Sequence, residues 1–250
     1  MVDSSQRHFP LRSVEAVNET SVLFVWTDMI DSNLNRYIQQ VRRSLTEQNG
    51  TIIDDIVCAY SSLMVYLKPP SIATATLVER LKQQVMGCDP QQSGFSTRSI
   101  RHHRIPVYYG EDAGWDLADI SQQTGMTIEQ IISCHTNTSY QVFANGFLPG
   151  FAYLGVVNQQ LQLPRKKTPR TAIPSGGVAI AEQQTAIYPS TSPGGWLIIG
   201  QTPFQLLDYR DCPAKPILQG GDQVSFYSVT KQQFEQLGGR VCLVDDTHHR

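Results

Sequence analysis

GFLPGFAYLG, residues 146–155, opens a segment (146–200) that is dense in glycine, proline and aromatic residues and almost free of helical or strand periodicity. Glycine lets the backbone adopt positive φ or approach a ligand closely, and proline fixes the backbone conformation. Short strand-like pieces lie between these turns. The segment therefore predicts a rigid β scaffold that presents shaped loops, and we expect the function to lie there.

The bulk composition is that of a soluble globular protein. Of the 250 residues, 40% are hydrophobic and 17% are charged, and the formal net charge is −2. This charge gives no long-range field toward nucleic acid or an anionic membrane, so we expect neither as a partner. The five cysteines form no C-x-x-C pair, and the polar N-terminus lacks the apolar core of a signal peptide. Both observations predict a cytoplasmic protein.

Residues 1–90 read as a small α+β domain in which strands are interleaved with two amphipathic helices. The strand candidates are 22–26, 52–57 and 62–67; one helix follows Asn33, and the other carries Leu77, Leu81 and Val85 on one face. This order predicts a ferredoxin-like sheet with helices on one side. Residues 91–99 are polar and turn-rich and are predicted to be a linker.

Residues 100–250 are predicted to form a mainly-β domain that begins with a strand at Ile105. Two short helices should follow, near 116–123 and 127–134, and the second starts with the capping-box spacing Thr127-x-x-Gln130. Everything after about Tyr140 reads as β. The strand candidates are 141–144, 178–181, 186–188, 197–199, 224–227 and 241–244. Many short strands between glycine and proline turns predict a closed or nearly closed barrel.

His135 follows the second short helix, five positions before Tyr140. An imidazole titrates near neutrality, so His135 is a candidate proton shuttle or donor to a carbonyl. The alternative is a histidine at a helix C-terminus that bonds backbone carbonyls. The residues alone favour this alternative.

Residues 164–170 read PRKKTPR, a basic loop that two prolines stiffen. Arginine binds carboxylate or phosphate through its planar fork, so a stiff basic loop suits a fixed anion. The alternative is a solvated surface run. We expect Arg170 to be functional and Lys166 to be merely exposed.

The glycine-rich motifs also allow two interpretations. The aromatic residues of 146–153 either line a pocket or plug the end of the barrel, and the pairs Gly176-Gly177 and Gly194-Gly195 form either backbone anion sites or hairpin turns. The chain has no phosphate loop, dinucleotide fingerprint or nucleophile elbow. Its histidines and cysteines lack metal-ligand spacing, so we predict no metal site.

A series of motifs, in order, gives the chain a family resemblance. The motifs are His135-x-x-x-x-Tyr140, GFLPGFAY at 146–153, PRKKTPR at 164–170, PSGGVAI at 174–180, QTAIYP at 184–189 and SPGGWLIIG at 192–200. This series resembles the family of the B subunit of bacterial ATP-dependent 5-oxoprolinase, also called allophanate hydrolase subunit 1, which includes a sporulation-kinase inhibitor. Residues 60–65 resemble its N-terminal domain, so the resemblance covers nearly the whole chain.

The resemblance implies an α+β N-terminal domain, a cyclophilin-like β-barrel, and a subunit of an enzyme that opens 5-oxoproline (pyroglutamate) to L-glutamate with ATP hydrolysis. The implied partners resemble the A and C subunits of that enzyme, and the ATP site is shared with a partner or lies on one. Catalytic roles, in proton handling and in supplying positive charge, are expected for His135, Arg165 and Arg170. The expected substrate-binding residues are Tyr140, Phe147, Pro149, Phe151, Tyr153, Gly176, Gln184, Tyr188, Gly194, Gly195 and Trp196.

Two alternative functions share this resemblance. One is a regulator that binds and inhibits a histidine kinase without catalysis, and the other is a carboxyltransferase-like component that acts on urea or a related amide. Two positions depart from the family pattern, since Gly177 stands where relatives usually have serine and Ala186 where they usually have glycine. The first change removes a hydroxyl and the second restricts positive φ. Both bear on the substrate more than on the fold.

Overall fold

The computed structural model describes residues 9–27, 29–88, 100–210 and 212–241. The chain is a mixed α/β protein that divides into two compact units, Met1–Ser99 and Ile100–Arg250. Each unit has its own hydrophobic core. The predicted linker, 91–99, lies outside the described residues. Within the described ranges, every helix is too short or too polar to form a transmembrane segment.

The N-terminal unit is an antiparallel sheet with two helices. Its elements are β1 Ser13–Asn18, β2 Ser21–Val25, α1 Ser32–Asn49, β3 Ile53–Ala59, β4 Ser62–Leu67 and α2 Ala75–Met86. The strands pair in the order β1-β2-β4-β3. On α1, the helical spacing of Leu34, Ile38, Val41 and Leu45 buries one face, as the sequence predicts.

The order of these elements differs from the ferredoxin-like expectation. That fold runs β-α-β-β-α-β, and β2, α1, β3 and β4 follow its first four elements. The strand beside β2 is β1, however, which precedes α1 instead of following α2. The sequence does not reveal β1 because its last four residues are exposed, so no apolar alternation marks it.

The C-terminal unit is built on a larger, mainly antiparallel sheet. Its elements are β5 His102–Val107, α3 Leu117–Thr124, α4 Ile128–Thr136, β6 Ser139–Asn145, β7 Ala152–Gly155, a 3-10 turn Gln159–Leu161, β8 Arg170–Ile173, β9 Gly177–Ala181, β10 Gln184–Ile187, β11 Ser192–Gly194, β12 Leu197–Gln201, β13 Leu207–Asp208, β14 Lys215–Pro216, β15 Gln223–Ser228 and α5 Lys231–Gln236. The main sheet has the order β5-β15-β6-β7-β10-β9-β12, and only β5 and β15 pair parallel in it. Two small antiparallel pairs, β8 with β11 and β13 with β14, lie off this order.

The two ends of the main sheet meet at Tyr108, directly after β5. The Tyr108 N–H donates to the Gln201 carbonyl at 2.8 Å, and the Gln201 N–H donates to the Tyr108 carbonyl at 2.9 Å. Strand β12 therefore bridges back to the segment that starts the sheet. The two predicted short helices are confirmed as α3 and α4, and Thr127 and Gln130 form the predicted capping box.

Helix α5 corrects the expectation that everything after Tyr140 is β. Only Phe234 among its six residues is buried, so it has no periodic apolar face from which a helix is predicted. A second capping box, between Thr230 and Gln233, starts it. Of the strand expected at 241–244, residue 241 lies in no strand and the others lie outside the described residues.

Candidate functional site

Asp116 is the centre of a buried ionic cluster in the C-terminal unit. Its carboxylate accepts two hydrogen bonds from the Arg170 guanidinium, both at 2.8 Å, and one from the Lys166 ammonium at 2.9 Å. The Ile198 backbone N–H donates a fourth, at 2.7 Å. Asp116 is fully buried, so its charge is matched entirely by protein groups.

Three separate segments position this cluster. Asp116 directly precedes α3, and its own N–H donates to the Ile198 carbonyl of β12 at 2.9 Å, so side chain and backbone both bind that strand. The basic loop is held by the Lys166 N–H, which donates to the Gly195 carbonyl at 2.7 Å. Arg170 is the first residue of β8, which pairs with β11. The loop and the strand thus fix both cations beside Asp116.

The electrostatics of the cluster leave a net positive charge. Burial raises the pKa of Asp116, but hydrogen bonds from Arg170, Lys166 and the Ile198 backbone outweigh it, and the pKa lies below its ordinary value. One carboxylate and two cations therefore sum to +1. The Lys166 side chain is only 27% exposed and is bound to Asp116, so the prediction that it is merely exposed is wrong.

An aromatic group packs around Phe151. The Phe151 ring makes edge-to-face contacts with the rings of Phe147, Tyr153, Tyr188 and Trp196, at centroid distances of 5.3, 4.9, 5.5 and 6.0 Å. Edge-to-face contacts of this kind fix ring orientations as well as burying area. Phe147 stands out because it is 61% exposed and has φ 74°, an uncommon conformation for a bulky residue.

Two arginines connect the basic loop with tryptophan rings. Arg170 lies 5.4 Å from the centroid of Trp115, and Arg165 lies 5.8 Å from that of Trp196. Both distances allow a cation–π attraction. Arg165 is exposed, with its Nε 3.6 Å from Glu182. Nine predicted site residues therefore lie in this arginine and aromatic region: Arg165, Arg170, Phe147, Phe151, Tyr153, Tyr188, Gly194, Gly195 and Trp196.

Tyr188 and Gly194 are fitted to one another. Burial raises the pKa of Tyr188 to about 12, although Arg165, the Trp196 backbone and Arg170 act in the opposite direction. The phenol is therefore neutral at physiological pH. A Cβ on Gly194 would overlap the Tyr188 hydroxyl and approach Ile173 Cδ1 to 2.7 Å. Glycine is required at 194 by this close approach.

His135 and Tyr140 lie elsewhere, in the main core of the C-terminal unit. His135 is fully buried, with Nδ1 2.7 Å from the Tyr109 hydroxyl and Nε2 3.0 Å from the Thr185 hydroxyl. Thr185 donates to the Ala179 carbonyl at 2.9 Å, so Nε2 carries the proton and Nδ1 accepts from Tyr109. The Tyr140 hydroxyl donates to the His135 carbonyl at 2.9 Å.

The environment of His135 suits a structural role. Burial lowers its pKa to about 3, and the ring stacks on Phe226 at 4.5 Å. Its nitrogens bind side-chain hydroxyls, not the backbone carbonyls expected for a histidine at a helix end. A catalytic role for His135 and a substrate-binding role for Tyr140 stay predictions.

The remaining predicted site residues are dispersed. Gly176 has φ 81°, and a Cβ there would overlap the Thr202 carbonyl. Gln184 is buried at the start of β10, and Pro149 is exposed in a turn in which the Phe151 N–H donates to the Leu148 carbonyl at 3.0 Å. These residues do not join Asp116, and their roles stay predictions.

The two departures from the family pattern are accommodated differently. Ala186 lies in β10 and is not one of the described non-glycine residues that have a positive φ. Alanine therefore brings no backbone strain at this position. A Cβ on Gly177 would lie 3.1 Å from both Ile173 Cγ2 and the Pro174 carbonyl. A serine at 177 therefore requires its neighbours to shift.

Sequence reasoning missed Asp116 and Trp115. The local pattern indicates only that Asp116 stands near a helix start, although its side chain makes no helix-capping hydrogen bond. The signal available is indirect, since two cations that are both fixed in a partly buried position require a nearby acid. Nothing in the spacing identifies which acid.

The fold and the sequence place the chain in a known class of domain. A sequence profile for the family described as carboxyltransferase domain, subdomain C and D, matches residues 12–217. The crystal structure of TTHA0988 superposes with a TM-score of 0.71 at 29% identity, over 84% of this chain and 40% of that one. This chain thus spans about 40% of the length of TTHA0988. It has the architecture of a carboxyltransferase-type domain.

Two relatives indicate to which family within this class of domain the chain belongs. A protein from Bacillus subtilis (strain 168), named as the B subunit of 5-oxoprolinase, is 29% identical over 229 residues, which are 88% of this chain and 94% of that protein. One of the same name from Escherichia coli O157:H7 is 31% identical over 211 residues, which are 84% and 93% of the two chains. The chain belongs to the family of 5-oxoprolinase B subunits.

Proposed function

We propose that the protein is a non-autonomous subunit of an ATP-dependent 5-oxoprolinase, which opens 5-oxoproline to L-glutamate together with partners that resemble the A and C subunits of that enzyme. The observation that supports this most is the ionic cluster, in which Asp116 fixes Arg170 and Lys166 beside Trp115. The names of the relatives supply the substrate and the subunit role. The Tyr108–Gln201 bridge further supports a cyclophilin-like barrel as the scaffold.

The cluster suits the chemistry of lactam opening. An unstrained amide carbonyl is a poor electrophile, and ATP activates it when the carbonyl oxygen is phosphorylated. Positive charge is needed for the substrate carboxylate and for charge that develops on oxygen. Each terminal nitrogen of Arg170 donates one hydrogen bond to Asp116. Each also carries a second N–H that can donate a hydrogen bond to a bound anion. Because Asp116 fixes the guanidinium, little ordering is required when an anion binds.

We place the ATP triphosphate on a partner subunit or at an interface with one. Arg170 and Lys166 are already bonded to Asp116, and Arg165 is close to Glu182. Two acids within the chain, Asp116 and Glu182, therefore offset two of the four positive charges of residues 164–170. A triphosphate needs more unmatched charge than this loop supplies.

The test is glutamate release from 5-oxoproline and ATP, with this chain alone and with its co-expressed partner subunits. We expect release only with the partners. Arg170→Ala should lower kcat/KM about 100-fold, the effect of removing one fixed donor, without loss of assembly. Arg104→Ala is the matched control, because Arg104 also lies over an aromatic ring, that of Tyr227, but outside the cluster. A stable complex without turnover would contradict the proposal.

A carboxyltransferase-like role on urea or a related amide is the second candidate. The family profile favours it, because that profile describes a carboxyltransferase domain. Biotin dependence of the reconstituted activity would identify this case. The histidine-kinase regulator stays a prediction, and kinase inhibition by a complex without turnover would support it.

A further inference from the structure

Trp115 lies directly before Asp116 in the chain and contacts the same cation. Asp116 accepts one hydrogen bond from each terminal nitrogen of Arg170, both at 2.8 Å. A two-pronged pair of this kind fixes the guanidinium to the carboxylate, but it permits twisting about the axis that joins the two groups. The Arg170 Cζ lies over the Trp115 ring, 5.4 Å from its centroid, and a cation at this distance is attracted to an indole. Trp115 therefore supplies a third point of contact, which limits the twist.

Trp115 is itself held in place. Its Nε1–H donates to the Asp112 carbonyl at 3.1 Å, and its side chain packs against the buried aromatic group around Phe151. Asp112 belongs to a tight turn that is closed by two backbone hydrogen bonds to the Gly110 carbonyl, at 2.9 and 2.7 Å. The orientation of the indole therefore depends on this turn.

The Asp112 carboxylate connects the turn with two other elements. It accepts from the Tyr108 hydroxyl, directly after β5, at 2.9 Å, and from the Lys231 ammonium, at the start of α5, at 2.6 Å. The hydrogen bond from Lys231 is the largest of the effects that hold the pKa of Asp112 below its ordinary value, so the pair is ionised at neutral pH. Phe234 of α5 is buried, and its ring lies 5.7 Å from that of Tyr108. Helix α5 is therefore attached to this region by an ion pair and by an aromatic contact.

We propose that Trp115 and Asp112 are positioning residues for Arg170. Trp115 limits the orientation of the guanidinium, and Asp112 holds Trp115 through its carbonyl while its carboxylate binds α5. Helix α5 thereby acts on Arg170 through the contacts of Lys231 with Asp112, Asp112 with Trp115 and Trp115 with Arg170. The geometric claim stands on these contacts, whereas its consequence for catalysis rests on the proposed function.

The experiment measures the mobility of Arg170 by ¹⁵N relaxation of its side-chain Nε–H in the full chain, with the signal assigned by its loss in Arg170→Lys. In the wild type we expect an order parameter near the rigid value of about 0.85, and in Trp115→Leu a fall below about 0.6. Trp115→Phe keeps an aromatic ring and should restore most of the rigidity. A role of Trp115 in stability alone would leave this order parameter unchanged.

Lys231→Met tests the contribution of α5 with little risk to the fold, since the Lys231 side chain is 52% exposed. We expect it to lower the order parameter of Arg170 less than Trp115→Leu does, because the carbonyl of Asp112 still binds the indole. Lys82→Met is the matched control, because Lys82 is also an exposed lysine beside an acid, with its Nζ 3.6 Å from Glu79, but it lies in the N-terminal unit. It should leave Arg170 as rigid as in the wild type.

The assembled enzyme tests the consequence for catalysis. Trp115→Leu should lower kcat/KM for 5-oxoproline about tenfold, and Trp115→Phe should recover most of this loss. An unchanged order parameter in both Trp115→Leu and Lys231→Met would overturn the inference. A lower order parameter with a wild-type kcat/KM would overturn the catalytic consequence alone. A lower order parameter together with no glutamate release from the wild-type assembly would overturn only the proposed function.

Discussion

Asp116 is fully buried and ionised because Arg170, Lys166 and the Ile198 N–H together donate to it. A buried charge is tolerated only when it is paired and hydrogen-bonded. The two cations depend on the carboxylate in turn, since each is partly buried and would lack a counterion without it. The position of Arg170, and with it the proposed anion site, therefore depends on one acid.

Asp116→Asn should destabilise the protein by about 3–5 kcal/mol, because it leaves two partly buried cations without a counterion. Urea unfolding at neutral pH measures this change, and Asp119→Asn, at an exposed acid in the first turn of α3, is the control. The lowered pKa of Asp116 means that its contribution is present above the ordinary value of about 3.9 and is lost as pH falls through the folded value. Equal stability of the two variants would disprove this account.

His135 gives a second prediction, for the dependence of stability on pH. Its pKa in the fold is lowered to about 3 by burial, below the ordinary value of about 6.5. Its contribution is therefore complete above about 6.5 and is lost as pH falls toward the folded value, by about 1.4 kcal/mol per pH unit. Urea unfolding between about pH 6 and 4 should show a shallower loss for His135→Gln than for the wild type. Parallel profiles would mean that the imidazole is not held neutral.

The prediction of elements succeeded where the signal is local. Helix α4 follows from the spacing of Thr127 and Gln130, and α1 follows from its apolar period. Strands β8 and β11 have four and three residues and pair across about twenty intervening positions, so neither has an alternation long enough to read.

Thr127→Ala should destabilise the protein by about 1 kcal/mol, because it removes the side-chain acceptor of the α4 capping box. Thr127→Ser keeps the hydroxyl and should stay within a few tenths of the wild type. Chemical unfolding of the three proteins decides this prediction. A Thr127→Ala variant as stable as Thr127→Ser would show that the cap does not stabilise the fold.

At the scale of the molecule, the family profile runs from residue 12 to residue 217 and so includes parts of both units. The sequence analysis predicted two domains and expected the function within 146–200, the segment that holds both cations of the ionic cluster. It could not supply Asp116, which lies 50 and 54 positions before its two cations. Contacts that distant depend on the order of strands in the sheet, which a single sequence does not encode locally.

The subunit role predicts an assembly larger than one chain. Without its partners, the protein should elute as a monomer or homo-oligomer of the 27.9 kDa chain and release no glutamate. Co-expressed with its partner subunits, it should elute with them as one larger complex that carries the activity. Size-exclusion chromatography with light scattering, followed by assay of each fraction, measures both. Activity in fractions that contain this chain alone would disprove the subunit role.

The bond between Asp116 and the basic loop matters to anyone who exchanges loops among these proteins. Residues 164–170 (PRKKTPR) form one continuous segment, yet Lys166 and Arg170 form ion pairs with Asp116, which lies on a distant segment. Moved alone into a scaffold without an acid at the equivalent of Asp116, the loop would carry two unmatched charges into a partly buried position. The portable module is therefore discontinuous, consisting of the loop, the acid and the strand that holds the acid through the Ile198 N–H.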